Sequence, residues 1–366
     1  MKILVLYQSS WWNAAAYYTY NLVKSLNRIG YEIIFTCKKD TPIATKIIND
    51  RYKIININLF ENNPLKFFGN IKKVKQLIID DKIDYLIPIS APGHIITGLI
   101  KKVFNIQLPI IKVCLDNMAP TNNILNKYMH NSLTDYFIFP GESTKIKYKF
   151  FLIDKYSIIH APINVKQFTD FKSDIDLKEQ FQIPKNKIIV SFIGRFSPEK
   201  GIFFLLDIIS TVLSKTDKAF FILSGSEEQI KYKDVQNKID ELKITSNVKI
   251  INKVDDVRAL ISITDIGLLS SRISEYICRI AMEFMSFKKP IVAPNVNVIP
   301  EVVGSIDNGF IYNLNDFNEA ADYLLKLIND KELLSKMGLN SSEIMKNNYD
   351  DSIFDNKIKS ILENIR

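Results

Sequence analysis

Short apolar strands alternate with amphipathic helical stretches along almost the whole chain, and the alternation begins twice. In the first series, residues 3–7 read as a buried strand, 14–29 as a helix closed by Gly30, and 31–36 as the next strand. A helix over 64–79, a strand over 85–89, a helix over 95–104 and strands over 110–113 and 136–139 follow. The second series opens with a strand over 188–194, a helix over 202–213 and a strand over 219–224. It continues with helices near 234–242 and 257–263 and strands over 248–251 and 266–269. Such alternation predicts an α/β protein whose parallel sheets are covered by helices on both faces. The repeated strand–Gly–helix opening predicts two Rossmann-like domains in tandem, and 366 residues suffice for two full cores. The polar stretch 165–186 is the expected junction, giving domains over 1–165 and 166–350 and a charged helical tail over 351–366.

The densest run of chemistry-bearing residues is SEYICRIAMEFMSFKKPIVAPNVNVIPE, residues 274–301. Glu275 and Glu283 stand eight residues apart with helix-forming, mostly apolar residues between them. A helix beginning just after Glu275 would hold Glu283 on its third turn and separate the two by roughly 12 Å along the axis. That separation suits opposite ends of an extended ligand, not two carboxyls sharing a proton. The helix N-terminus beside Glu275 would offer free N–H groups and partial positive charge to a phosphate. A carboxylate near a sugar, a helix end near phosphate and a carboxylate near a ribose together describe a nucleotide-sugar.

Upstream, SFIGRFSPEKGIFFLLDII places Gly194 and Arg195 at a tight turn after a strand, with Lys200 and Gly201 opening the next helix. Arg presents a planar fork to phosphate oxygens and Lys a compact charge, and parallel sheets bind ligands at the strand ends where these residues fall. An isolated Arg and Lys beside a turn are more often solvated; the glutamate pair one crossover further on favours the functional reading.

FIGRFSPEKG, LSGSEEQ and the glutamate pair followed by KKPIVAPNVNVIPEVVG resemble the retaining glycosyltransferases of family 4, and IIHAPINVKQF resembles the segment that precedes their donor domain. The resemblance spans nearly the whole chain and is sharp over 158–303. It implies the GT-B fold: two Rossmann-like domains facing across a cleft, with the C-terminal helix crossing back to the first. It implies a nucleotide diphosphate sugar as co-substrate, no other cofactor and no metal. Arg195 and Lys200 match the pair on the donor's diphosphate, Glu283 the carboxylate on the ribose, and Glu275 the carboxylate nearest the transferred sugar. Gly194, the backbone of Tyr276, Ile277 and Cys278, and Arg279 belong to the same donor set; Gly225 and Val254 match positions lining the nucleotide pocket. Asp174 and Asp176 form an Asp-Ile-Asp step that metal-dependent transferases use, but no apolar strand precedes it, and it reads as linker charge.

The first domain departs from the pattern. Where relatives carry glycines after the first strand, this chain reads SSWWNAAAYY, and Trp11 and Trp12 offer aromatic stacking to an acceptor sugar, or core packing. Leu115-Asp116 stands where a His-Asp step is common. Asp116 and His94 are the remaining acceptor-side candidates, with a structural role the commoner fate of a lone histidine.

Charge is uneven. Residues 1–165 hold 21 Lys and Arg against 11 Asp and Glu, a net of +10; residues 166–366 hold 27 against 29, a net of −2. The basic half is the one to meet an anionic membrane or a phospholipid-linked acceptor, unless its lysines are simply a solvated surface. Cys37, Cys114 and Cys278 are scattered without CxxC spacing, which argues against structural zinc and for reduced thiols in a cytoplasmic protein. No apolar run approaches the ~20 residues of a membrane helix. No GxGxxG follows either opening strand, against a dinucleotide oxidoreductase, and no nucleic-acid partner is expected. The expected protein is a cytoplasmic glycosyltransferase, peripheral on the inner face of the membrane, that moves sugar to a glycan or lipid-linked acceptor in envelope polysaccharide or lipopolysaccharide synthesis. A sugar-nucleotide epimerase and a non-catalytic nucleotide- or glycan-binding protein are the alternatives.

Overall fold

The computed structural model describes residues 1–116, 118–173, 177–273, 275–304 and 307–365. The chain divides into two compact units, Met1–Pro162 with Asp351–Arg366, and Ile163–Asp350.

The first unit is built on strands β1 (Lys2–Leu6), β2 (Glu32–Cys37), β3 (Lys53–Asn56), β4 (Tyr85–Pro88), β5 (Ile111–Val113), β6 (Tyr136–Phe139) and β7 (Tyr156–Ile158). All pair in parallel, in the orders β3-β2-β1-β4 and β5-β6-β7, and a Leu86–Ile110 bridge links the two sets. Helices run back between strands, so the loops after β1, β3, β4 and β5 emerge at one edge, the C-terminal ends of the strands. Strand faces supply Leu4, Leu6 and Ile34 to a core that Val74, Ile78, Ile96 and Ile100 complete from two helices, Pro64–Asp80 and Ala91–Val103. The latter helix begins four residues before the sequence-based start at residue 95. Pro92 in its first turn forfeits no intrahelical bond, and Ser90 Oγ accepts from the Gly93 N–H, so the apparent breakers are a cap.

The tail helix Asp351–Asn364 packs on this unit. Arg28 donates to both carboxylate oxygens of Asp355 at 2.7 and 2.8 Å, and the buried Tyr85 hydroxyl donates to the Leu362 carbonyl at 3.0 Å.

The second unit holds β8 (Ile188–Ile193), β9 (Ala219–Gly225), β10 (Val248–Asn252), β11 (Ile266–Leu268), β12 (Ile291–Pro294) and β13 (Gly309–Tyr312), parallel in the order β10-β9-β8-β11-β12-β13. The order reverses between β8 and β11, the switch point where such sheets open a crevice at their carboxyl ends. The stretch expected as a polar junction is part of this unit. Phe168, Leu177 and Ile183 are buried in it, because apolar residues spaced among the charges still reach its cores. Ile163 donates its N–H to the Tyr349 carbonyl at 2.8 Å and bridges Asp350, which sets the edge of the unit three residues before the boundary at residue 166. The Asp174–Asp176 step lies outside the described residues.

Gly194 and Gly225 end adjacent strands, and the Gly194 N–H donates to the Ser224 carbonyl at 2.9 Å. A Cβ on Gly225 would lie 1.7 Å from the Gly194 carbonyl oxygen, so the two backbones approach as closely as they do only because residue 225 has no side chain. Gly225→Ala must separate the strand ends, and we expect it to cost about 1–3 kcal/mol of stability. Urea unfolding reads this directly; a midpoint equal to wild type would show that the strand ends move apart freely.

Candidate functional site

The loops at the switch point bring several of the sequence-predicted residues together. After β8, Gly194 and Arg195 lead into a short turn, Pro198–Lys200, which ends on Gly201 at φ +67°, a left-handed conformation. A Cβ there would lie 2.3 Å from the Ser270 carbonyl oxygen. Glycine thus allows the β8 loop to press against the loop that follows β11. Two bonds lock them: Ser270 Oγ donates to the Lys200 carbonyl at 2.7 Å, and the Arg272 N–H to the Glu199 carbonyl at 2.7 Å.

Lys200 and Glu275 form an ion pair across this seam, with side chains only 18% and 11% exposed. Ser271 Oγ donates to the same Glu275 oxygen at 3.0 Å and accepts from Lys200 Nζ at 3.3 Å. Arg195 is half-exposed; its Nη1 donates to Glu228 at 2.6 Å, and Glu199 lies 3.8 Å from its Nη2. Arg279 Nε donates to Glu283 at 2.6 Å. Each candidate phosphate-binding cation therefore rests against a carboxylate. Glu283 itself is 4% exposed, and burial pushes its carboxyl above the ordinary range against the opposing pull of Arg279.

The helix expected to start just after Glu275 is Arg279–Ser286. Tyr276 and Ile277 lead into it and Cys278 occupies its N-cap position at φ 55°, so Glu283 stands on the second turn, not the third. Local pattern reads EYICRIAMEFM as one helix, but tertiary bonds hold its first residues in a bent, non-helical approach. Glu275 accepts the Val298 N–H on its carbonyl at 3.1 Å while its carboxylate is held by Lys200 and Ser271. Burial raises the Cys278 thiol well above its ordinary value; the Glu275 charge adds to this and the Lys200 charge opposes it. Gly225 closes β9 and Val254 is half-buried in the loop after β10, packed on the cluster that contains Ile251 and Leu260.

Sequence reasoning missed Glu228, Ser270 and Ser271. The serine pair closing IGLLSS, four residues before Glu275, was the available signal, because small hydroxyls at a strand end let a lysine from the neighbouring loop reach in.

In the first unit, Trp11 is 76% exposed in the loop after β1. Trp12 is half-buried, its ring edge-on to Tyr20 with centroids 5.8 Å apart and Lys46 Nζ 4.8 Å above it. His94 is not presented at the edge. It is 3% exposed, bonded through Nε2 to Thr134 Oγ1 at 2.7 Å, and edge-on to His130 at 4.8 Å. Burial first, then Lys112 and His130, hold its imidazole well below the ordinary value, so it packs as a neutral ring. Asp116 is partly exposed after β5 and meets the ammonium of Lys112 at 3.2 Å. Lys112, 1% exposed and bonded also to the Ile89 carbonyl, was not singled out from sequence; a lysine inside the apolar run IIKVCL was its only sign. Among the described residues no group of three or more His, Cys, Asp or Glu could hold a metal ion, and no helix is long and apolar enough to cross a membrane.

Residues 173–344, just under half of the chain, match the family model described as glycosyl transferases group 1. Solved structures share the architecture along the whole chain. A glycosyltransferase from Rickettsia africae superposes with a TM-score of 0.86 at 19% identity, covering 100% of this chain and 98% of that one. A crystal structure of Anabaena HepE in complex with UDP superposes with a TM-score of 0.86 at 19% identity and full coverage of both chains. The protein thus has the GT-B fold, and residues 173–344 of its second unit are similar to group 1 glycosyl transferases. Among curated relatives, the Staphylococcus aureus capsular polysaccharide biosynthesis glycosyltransferase CapM is 25% identical over 202 residues, 53% of this chain and 51% of that protein. The chain spans about half the length of the first curated relatives it matches.

The raised pKa of Glu283 has a defined sign. The folded protein holds a proton there over a range in which the unfolded chain has released it, so this group favours the fold at low pH. That contribution is lost as pH rises through the folded value. Wild type should therefore lose stability relative to Glu283→Gln as pH rises from the ordinary glutamate range through the raised one. Parallel denaturation curves across that range test it, and an unchanged difference would mean that Glu283 titrates normally.

Proposed function

We propose that this chain is a retaining glycosyltransferase of the family 4 type, moving a sugar from a nucleotide diphosphate sugar to a glycan or lipid-linked acceptor without a metal. The observation that carries the reading is the Lys200–Glu275 pair at the switch point of the second sheet, with Arg195 on the same loop as Lys200 and the buried Glu283 on the helix that follows. Similarity to group 1 glycosyl transferases over the same residues supports it.

Arg195 and Lys200 would transfer from Glu228 and Glu275 to the donor's diphosphate and neutralise the charge that develops on the leaving nucleotide. The N–H groups entering the Arg279–Ser286 helix would add to the same anion site. Glu283, almost fully buried, would accept hydrogen bonds from the ribose hydroxyls, with Arg279 orienting it. Once Lys200 turns to phosphate, the Glu275 carboxylate would be left beside the transferred sugar. In the retaining reaction the acceptor hydroxyl attacks the anomeric carbon from the side the nucleotide leaves. The bond to the diphosphate oxygen breaks, the glycosidic bond forms, and the hydroxyl proton passes to the departing diphosphate. A cationic cradle of this kind makes a metal unnecessary for the leaving group. In the first unit, exposed Trp11 and Asp116 are the acceptor-side groups; His94 is left to packing. Capsular polysaccharide synthesis by CapM supports an envelope-glycan setting, and the UDP in HepE makes uridine donors the first to try.

Calorimetry across UDP-, GDP-, ADP- and CMP-sugars should show one diphosphate donor bound selectively. Glu283→Ala should weaken it about 10- to 100-fold through loss of charged hydrogen bonds, and an unchanged affinity would remove the ribose role. Arg195→Ala combined with Lys200→Ala should abolish transfer in a folded protein. EDTA should leave transfer intact; strict magnesium dependence would overturn the metal-free reading.

A further inference from the structure

Lys200 and Arg279 meet carboxylates, Glu275 and Glu283, that have their own place in the proposed donor site; Arg195 meets Glu228, which has none. Arg195 Nη1 donates to Glu228 Oε1 at 2.6 Å. Glu228 lies in the SGSEEQ segment that follows β9, and backbone bonds deliver it to the arginine. The Phe196 N–H donates to the Ser226 carbonyl at 2.8 Å, and the Phe196 carbonyl accepts the N–H groups of Glu228 at 3.3 Å and Ile230 at 3.1 Å. Phe196 is fully buried and edge-on to Tyr232 with centroids 5.2 Å apart, and the Tyr232 hydroxyl donates to the Gly225 carbonyl at 2.5 Å. The residue after Arg195 is thus laced to Glu228 and to both of its flanks.

The neighbouring Glu227 shows what a structural carboxylate does in this segment. It accepts the Tyr232 N–H at 2.7 Å, where the helix Tyr232–Glu241 begins, and lies 3.7 Å from Lys231 Nζ. Glu228 does neither: among the described residues its carboxylate meets Arg195 alone. The guanidinium is half-exposed, with Glu199 3.8 Å from Nη2. An anion that reaches Arg195 therefore finds a fixed negative charge already beside it. Two oxygens bonded to one guanidinium lie within about 6 Å of each other, close enough for like charges to repel appreciably at a partly exposed site.

We propose that Glu228 is a specificity-determining residue that turns the diphosphate subsite against free nucleoside diphosphate and in favour of its sugar ester, so that product leaves and donor replaces it. The inference rests on the donor reading above and adds to it the charge state that the subsite admits. The terminal phosphate of a free nucleoside diphosphate loses a second proton near pH ~6. In the donor that oxygen is esterified to the sugar, so at neutral pH the product carries one more negative charge than the donor does. Glu228 repels that additional charge; Arg195 and Lys200 attract both ligands.

The full chain and its Glu228→Gln and Glu227→Gln variants are titrated by calorimetry at about pH 7.5, above the second phosphate ionisation, with UDP and UDP-glucose, GDP and GDP-mannose, and ADP and ADP-glucose. Glu228→Gln keeps an oxygen that can accept from Arg195 and removes only the charge. It should tighten the bound diphosphate about tenfold and the matching sugar ester about threefold or less. Glu227→Gln removes the same charge from a carboxylate committed elsewhere and should move that ratio by less than about twofold. Equal tightening of both ligands, no tightening, or the same effect from Glu227→Gln would overturn the proposal. So would a wild type that holds a free diphosphate and no sugar ester. A lowered urea midpoint with weaker binding in Glu228→Gln would assign the residue to holding the loop instead. Absence of nucleotide binding in wild type and variants alike would sink the donor reading itself, whereas binding indifferent to Glu228 sinks this inference alone.

Discussion

The Lys200–Glu275 ion pair joins the loop after β8 to the loop after β11, and the rest of the candidate site is arranged around that seam. Parallel strands that reverse order at a switch point leave their loops diverging, so something must draw the two back together. Here glycine removes the steric barrier at position 201, serine hydroxyls at 270 and 271 carry the polar contacts, and the ion pair closes the seam with both partners largely buried. A buried pair of this kind is strongly damaged by loss of one partner, because the other charge is left uncompensated.

The same principle applies to Arg195 and Arg279. Each cation is held by a carboxylate, Glu228 or Glu283, so the site carries positive groups in position without a large unbalanced field. Glu283 differs from the others in being almost fully enclosed. Burial raises its carboxyl above the ordinary range, the direction expected where a bare carboxylate is disfavoured.

In the first unit chemistry and surface have separated. His94, His130 and Lys112 are buried beneath the sheet edge, where they bond to Thr134, the Asn126 carbonyl and the Ile89 carbonyl. The edge itself carries exposed aromatic and aliphatic side chains. An edge of that composition suits contact with sugars more than proton transfer, and the proposed reading accordingly keeps Trp11 and Asp116, not His94, as its acceptor-side candidates.

The sequence by itself determined the two α/β units and the strands that are long or strongly apolar, and it singled out Arg195, Lys200, Glu275 and Glu283 as candidates. These follow from periodicity and from residue types at fixed spacing, which act over a few turns of chain. The short strands β3, β7 and β13 and the start of the Arg279–Ser286 helix were not legible in this way. Their conformations depend on partners far along the chain, such as Val298 for Glu275 and β2 for β3. Which carboxylate faces which cation, that Lys112 is buried, and that Phe168, Leu177 and Ile183 pack as part of the second unit were likewise decided only by tertiary structure. Burial and ion pairing are properties of neighbours in space, and local pattern carries no record of those neighbours.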